Sequence, residues 1–175
     1  MNTNDFFHID DPHSLEWEGH RLSPGWWSRC YEYPWAIQFV KPWATVADMG
    51  CGWSERPFKN VLADKCQTVY AVDGNEKVLN LNFEQSNLHP IVAPMDNLPF
   101  KDDELDIIFC ISVLEESKTY DEILKEFRRV LMPSGRVVLT FDMQADMDKP
   151  LGKWKAVDGA KLFKAMAEAR LLPDG

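Results

Sequence analysis

Cysteine is scarce. The 175 residues hold four, Cys30, Cys51, Cys66 and Cys110, with no CxxC pair among them. Neither a disulfide framework nor a zinc site is expected, and a reducing, cytoplasmic setting fits best. His8, His13, His20 and His89 show no metal-ligand spacing, so no metal is expected. Long apolar runs are also missing: none approaches the roughly 20 residues of a spanning helix. The opening MNTNDFFHIDD is polar and acidic where a signal peptide needs a basic and then an apolar stretch. No membrane partner is expected. Positive charge is short as well, with 19 Lys and Arg against 28 Asp and Glu and a formal net charge of -9. Such a surface repels phosphate backbones, so nucleic acid is not an expected partner. The longest basic feature, Arg128-Arg129, belongs to a helix surface. Oligomeric state leaves no mark on the sequence.

What is present reads as one globular domain. With 45% hydrophobic and 27% charged residues the chain can bury a continuous core. Residues 1–43 hold five of the seven tryptophans and show no clean period. So aromatic an arm would expose too much apolar surface if it floated free, and it is expected to pack on the core as a lid or brace. Residues 44–175 then alternate. TVADMG, TVYAVD, PIVAP, LDIIFCISV and RVVLTFD read as five strands. Between them come a helix from about Glu55 to Ala63, a helix over NEKVLNLNFEQS, and a strong helix opened by Thr119 and Glu122 as a capping box. MPSG is expected to end that last helix, and AVDGAKLFKAMAEARLL reads as a final amphipathic one. This alternation predicts an α/β fold, a doubly wound, Rossmann-like and mainly parallel sheet with helices on both faces.

In such a sheet, ligands bind at the carboxyl ends of the strands. The exit loop of the first strand is VADMGCGWSERP, residues 46–57. A dinucleotide site wants G-x-G-x-x-G with the pyrophosphate on the helix N-terminus. Here the sixth position is Glu55, which would crowd the packing and repel a pyrophosphate, so NAD and FAD are disfavoured. The acidic residue two before the first glycine, Asp48, suits a ligand with a positive charge such as an amino-acid ammonium. Asp48 could also simply cap the turn, as Asp often does.

The chain resembles the class I S-adenosylmethionine-dependent methyltransferases (methyltransferase type 11-like) at these residues. VADMGCG is similar to the family's first motif, a hydrophobic pair followed by D-x-G-x-G-x-G. VYAVDGNEKVL resembles the second, APMDNLPFKDDELDIIFCISVLEE the third and fourth, and EILKEFRRVLMPSGRVVLTF the helix and fifth strand. The likeness runs from about Thr45 to Asp142. It implies a sheet of about five strands in the order 3-2-1-4-5, lacking the usual C-terminal strands 6 and 7. It implies S-adenosylmethionine as cofactor and S-adenosylhomocysteine as product. The cofactor-binding residues it implies are Asp48, Gly50, Cys51, Gly52, Asp73, Gly74, Met95, Asp96, Asn97 and Cys110. Asp73 would hold the ribose hydroxyls and Asp96 the adenine amine, with the Cys110 backbone lining the adenine pocket. Asp73 lies 21 residues beyond Gly52, a spacing that lets the next strand's carboxylate meet a ribose diol.

The function implied is methyl transfer to a small-molecule or glycan-type acceptor; the alternative is a cofactor-binding protein without transferase activity. No catalytic residue is fixed. Glu115 and Glu116 beyond the fourth strand, and Asp142 after the fifth, are candidate bases. Arg29 and Tyr33 in the arm could reach over the cofactor. The chain departs from the family pattern at Ser54, where a third glycine is usual and where a serine could cap the next helix. It departs again at Glu116, where a histidine is common, so that histidine's role cannot be carried over. Trp53 is expected to pack under the loop, with a cation–π contact to the sulfonium as the other reading.

Overall fold

The computed structural model describes residues 7, 10–53, 57–81, 83–117, 119–142 and 157–171. It opens with a hairpin of two antiparallel strands, β1 (Glu16–Trp17) and β2 (His20–Arg21). Glu18 and Gly19 between them have φ of 48° and 76°. Two positive φ angles in a two-residue loop match the strand twist of a tight hairpin. Helix α1 (Arg29–Ala36) follows and runs into a 3-10 turn at Ile37–Phe39.

The main sheet is built from β3 (Thr45–Met49), β4 (Thr68–Asp73), β5 (Leu88–Val92), β6 (Leu105–Ile111) and β7 (Leu131–Thr140). All four pairings are parallel, in the order β5-β4-β3-β6-β7. The expectation of an order 3-2-1-4-5 without strands 6 and 7 was counted from Thr45. Seven strands are in fact described, because the hairpin takes the first two numbers. Strands of two residues are too short for alternation to register in sequence.

Successive residues of a strand point to opposite faces, and the core divides accordingly. Val46, Val69, Ala71, Phe109 and Ile111 pack with α2 (Pro57–Lys65) and with Trp17, Tyr31 and Tyr33 of the N-terminal segment. Ala47, Met49, Val72, Ile108 and Cys110 pack with α3 (Tyr120–Val130) and α4 (Gly159–Glu168) on the other face. Phe58 is the hinge pin of the first layer. Its ring stacks on Tyr33 at 4.8 Å and meets Phe109 edge-on at 5.4 Å. Helix α2 is described from Pro57, a residue whose missing N–H is tolerated in a first helical turn.

Several local expectations need correcting. Among the described residues of NEKVLNLNFEQS only a 3-10 turn forms, Glu76–Asn80, capped by Asn75 through Lys77 N–H at 3.0 Å. The cap is met, but only Val78 of that turn is buried, so too little apolar surface is gained to extend it. Thr119 precedes α3 without a side-chain capping bond; the Ser117 hydroxyl instead accepts the Thr119 N–H at 3.1 Å. MPSG does not separate helix from strand: β7 starts at Leu131, and its pairing with β6 is irregular between Leu105 and Ile107. The proposed cap Ser54 and the crowding residue Glu55 lie outside the described residues.

Candidate functional site

The carboxyl end of β3 delivers Asp48 and the glycine turn. Gly50 has φ of 66° and Gly52 of 73°, the left-handed region that glycine enters without penalty. Gly50 is required on a second count. A Cβ there would lie 2.5 Å from Val113 Cγ1, so the turn and the segment after β6 are in direct apposition. Cys51, within the turn, is buried; its N–H donates to Val72 O at 3.1 Å and its carbonyl accepts from the buried Lys59 ammonium at 3.4 Å. Asp48 is also buried, and with Gly50, Cys51, Tyr33, Phe58 and Ile111 it lines a small cleft above the sheet.

Asp73, at the end of β4, is aimed at the same turn. Its Oδ2 accepts the Gly52 N–H at 2.9 Å and its Oδ1 accepts the Asn75 N–H at 2.9 Å. Each carboxylate oxygen has a further lone pair for another donor. Gly74 shows neither crowding nor a positive φ, so nothing in the backbone requires glycine there. Met95, Asp96 and Asn97 form the turn after β5, where Asn97 N–H donates to Pro94 O at 3.2 Å and Asp96 is exposed. Cys110 is fully buried among the α3 and α4 side chains, and burial pushes its thiol well above the ordinary range. Its side chain therefore belongs to the core. Trp53 does not pack under the loop: it is 51% exposed, and the Lys77 ammonium lies 5.8 Å from its ring centre.

A second group of polar side chains meets at the ends of β6 and β7. Ser112 has φ of 46° and donates its backbone N–H to Thr140 O at 3.0 Å and Thr140 Oγ1 at 3.1 Å. Its hydroxyl donates to Glu32 Oε1 on α1 at 2.5 Å. Glu32 Oε2 accepts from Arg29 at 2.6 Å. Burial alone would lower the Arg29 guanidinium, but Glu32, Tyr33 and Glu115 together reverse this and the group is raised. Glu115 is part-buried, with Oε2 fully enclosed and given no hydrogen-bond partner. Burial pushes its carboxyl up to about 7, with Asp142 and Glu32 adding to the rise and Arg29 opposing it. Asp142 is raised as well, by burial and by Glu32. Arg29, Tyr33, Glu115 and Asp142, candidates from the sequence, thus flank one region, whereas Glu116 is exposed. Glu32 was missed. Its only signal was an acidic residue in an otherwise aromatic stretch, YEYPW.

A family model described as a methyltransferase domain matches residues 47–139, more than half of the chain. Among curated proteins, the ubiquinone/menaquinone biosynthesis C-methyltransferase UbiE of Vibrio parahaemolyticus is 29% identical over 123 residues, covering 65% of this chain and 47% of that protein. The chain therefore spans about half the length of the curated relatives it matches. A solved SAM-dependent methyltransferase from Aquifex aeolicus superposes with a TM-score of 0.65 at 20% identity, covering 81% of each chain. The [4+2]-cyclase SpnF superposes with a TM-score of 0.67 at 18% identity, over 90% of this chain and 64% of that one. At these identities the two structures speak for the fold alone. Among the described residues no helix is long and apolar enough to cross a membrane.

Proposed function

Because this chain belongs to the class I S-adenosylmethionine-dependent methyltransferase family, we propose that it transfers the cofactor's methyl group to a small-molecule acceptor. The observation that carries this reading is the glycine turn Gly50–Gly52, pressed against Val113 and flanked by the carboxylates of Asp48 and Asp73. That donor set fits the family's cofactor. It offers backbone at close approach and carboxylates for a cationic amino-acid tail and a ribose diol. When bound, S-adenosylmethionine supplies an electrophilic methyl group on a sulfonium.

The chain's own residues do the rest. Asp48 binds the ammonium, and Asp73 accepts the ribose hydroxyls while keeping the Gly52 N–H. The turn at Met95, Asp96 and Asn97 receives the adenine, and the backbone at Cys110 lines its pocket. Methyl transfer by in-line displacement asks mainly for proximity and alignment. The described part of the N-terminal segment, residues 10–43, serves as the brace that supplies them, with Tyr33 lining the cleft. The acceptor's nucleophile must shed a proton, and Glu115 takes it, because a carboxyl titrating at about 7 is matched to proton transfer near neutral pH. The UbiE relatives support a small acceptor methylated at carbon; quinone-like precursors are the first to try.

The test is label transfer from methyl-labelled S-adenosylmethionine to a panel of such acceptors. Label in a small product is expected. Cofactor binding with no turnover on any acceptor would favour a binding protein without transferase activity.

A further inference from the structure

Glu32 is an expensive residue to bury. It is only 3% exposed, and a buried carboxylate is tolerated only when its lone pairs are met. A well-packed apolar side chain would serve stability at least as well. Both of its oxygens are engaged, one by Ser112 and one by Arg29. Ser112 is itself fixed in a left-handed conformation, with its N–H held by Thr140. The next residue, Val113, is the one packed against Gly50. A continuous chain of contacts therefore runs from α1 through Glu32 and Ser112 to the glycine turn.

Among the described residues, the groups that act on Glu115 are Asp142 from the end of β7 and Glu32 and Arg29 from α1, and Glu115 in turn acts on the Cys110 thiol of β6. Arg29 is the one cation in that set. Its guanidinium is paired with Glu32 at 2.6 Å, while toward Glu115 it acts only through its field.

We propose that Glu32 is a positioning residue for the acceptor end of the cleft: it docks α1 onto the end of β6 through Ser112, and it keeps Arg29 from pairing with Glu115. The assignment rests on the methyl-transfer reading, in which Glu115 must remain able to accept a proton. Without Glu32 the guanidinium is released toward Glu115, fixes it as a carboxylate and weakens it as a base. The arm thus sets the charge state of a residue some 80 positions away in sequence, the separation spanned by the Glu32–Ser112 bond.

The test is the carboxyl carbon-13 titration of Glu115 in the full chain without cofactor. Glu32→Gln is expected to lower the Glu115 midpoint by about one pH unit, and Arg29→Met to raise it by about half a unit, the effect of removing one nearby charge of either sign. A residue with a purely structural role would not move the two in opposite directions. Midpoints unchanged, or displaced the same way, overturn the proposal. Should Glu32→Gln fail to fold, Ser112→Ala keeps the ion pair and removes the docking bond. Amide exchange across α1 is then expected to quicken at least ~10-fold while α3 is unaffected; unchanged exchange in α1 also overturns it. Neither readout uses the cofactor, so failure of the unaltered chain to bind S-adenosylhomocysteine would count against the methyl-transfer reading alone.

Discussion

The two ends of the cleft are built by different means. On the β3–β4 side the site is held by the main chain: Gly50 and Gly52 in left-handed conformations, and the Gly52 and Asn75 N–H groups donating to Asp73. On the β6–β7 side it is held by side chains from distant segments, with Glu32, Arg29, Ser112, Glu115 and Asp142 meeting at three elements. Backbone geometry imposes residue types on a short stretch and leaves a readable motif. Side-chain assembly imposes only that partners exist somewhere. In the proposed reading the first end takes the cofactor and the second takes the acceptor.

Four substitutions sharpen that contrast, in descending order of effect. Phe58→Ala removes the ring that joins Tyr33 of the arm to Phe109 of the sheet. A cost of about 3–5 kcal/mol in urea unfolding is expected for a buried aromatic truncated to alanine. A loss below ~1 kcal/mol would mean that the arm does not pack there. Gly50→Ala combines an unfavourable φ with overlap on Val113, for a cost of roughly 2–4 kcal/mol. Adding Val113→Ala should recover the overlap part only, and a complete recovery would show that φ does not matter at this turn.

Asp73→Ala should weaken S-adenosylhomocysteine binding by on the order of 1–3 kcal/mol, the loss expected for charged hydrogen bonds. Unchanged affinity by calorimetry would place the ribose elsewhere. Glu115→Gln acts through pH. Its carboxyl titrates at about 7 in the fold against an ordinary 4.5 for glutamate, so the protonated form is favoured in the folded state. Its contribution is fully present below about pH 4.5 and is lost as pH rises through 7. The amide should therefore stabilise the chain at pH 8 by about 1–2 kcal/mol, a figure reduced for the part of the side chain that solvent reaches, and leave it unchanged at pH 4. An equal effect at both values, read from melting curves, would show that Glu115 does not titrate as described.

The same contrast explains what could be read in the sequence. The strands were legible because parallel strands buried on both faces are unbroken apolar runs, as LDIIFCISV shows. The loop of Asp48, Gly50 and Gly52 was legible because its conformations demand glycine. Glu32 was not, since a single acid among aromatics carries no period and its partner Ser112 lies 80 residues on. Trp53 was misjudged because apolar character suggests burial, whereas its flat face lies beside Lys77 in solvent. The helix expected over NEKVLNLNFEQS failed because local propensity with only Val78 of the turn fully buried yields only a turn. Thr119 shows the limit of capping motifs: the residues are present, but the Ser117 hydroxyl claims the bond.

The most direct measurement is calorimetric titration of the full chain with S-adenosylmethionine, S-adenosylhomocysteine and NADH in parallel. Saturable binding of both sulfur nucleosides, with none of NADH, is the predicted result. Binding of NADH, or of neither sulfur nucleoside, would contradict the assignment of Asp48, Asp73 and the glycine turn to a cationic, phosphate-free cofactor.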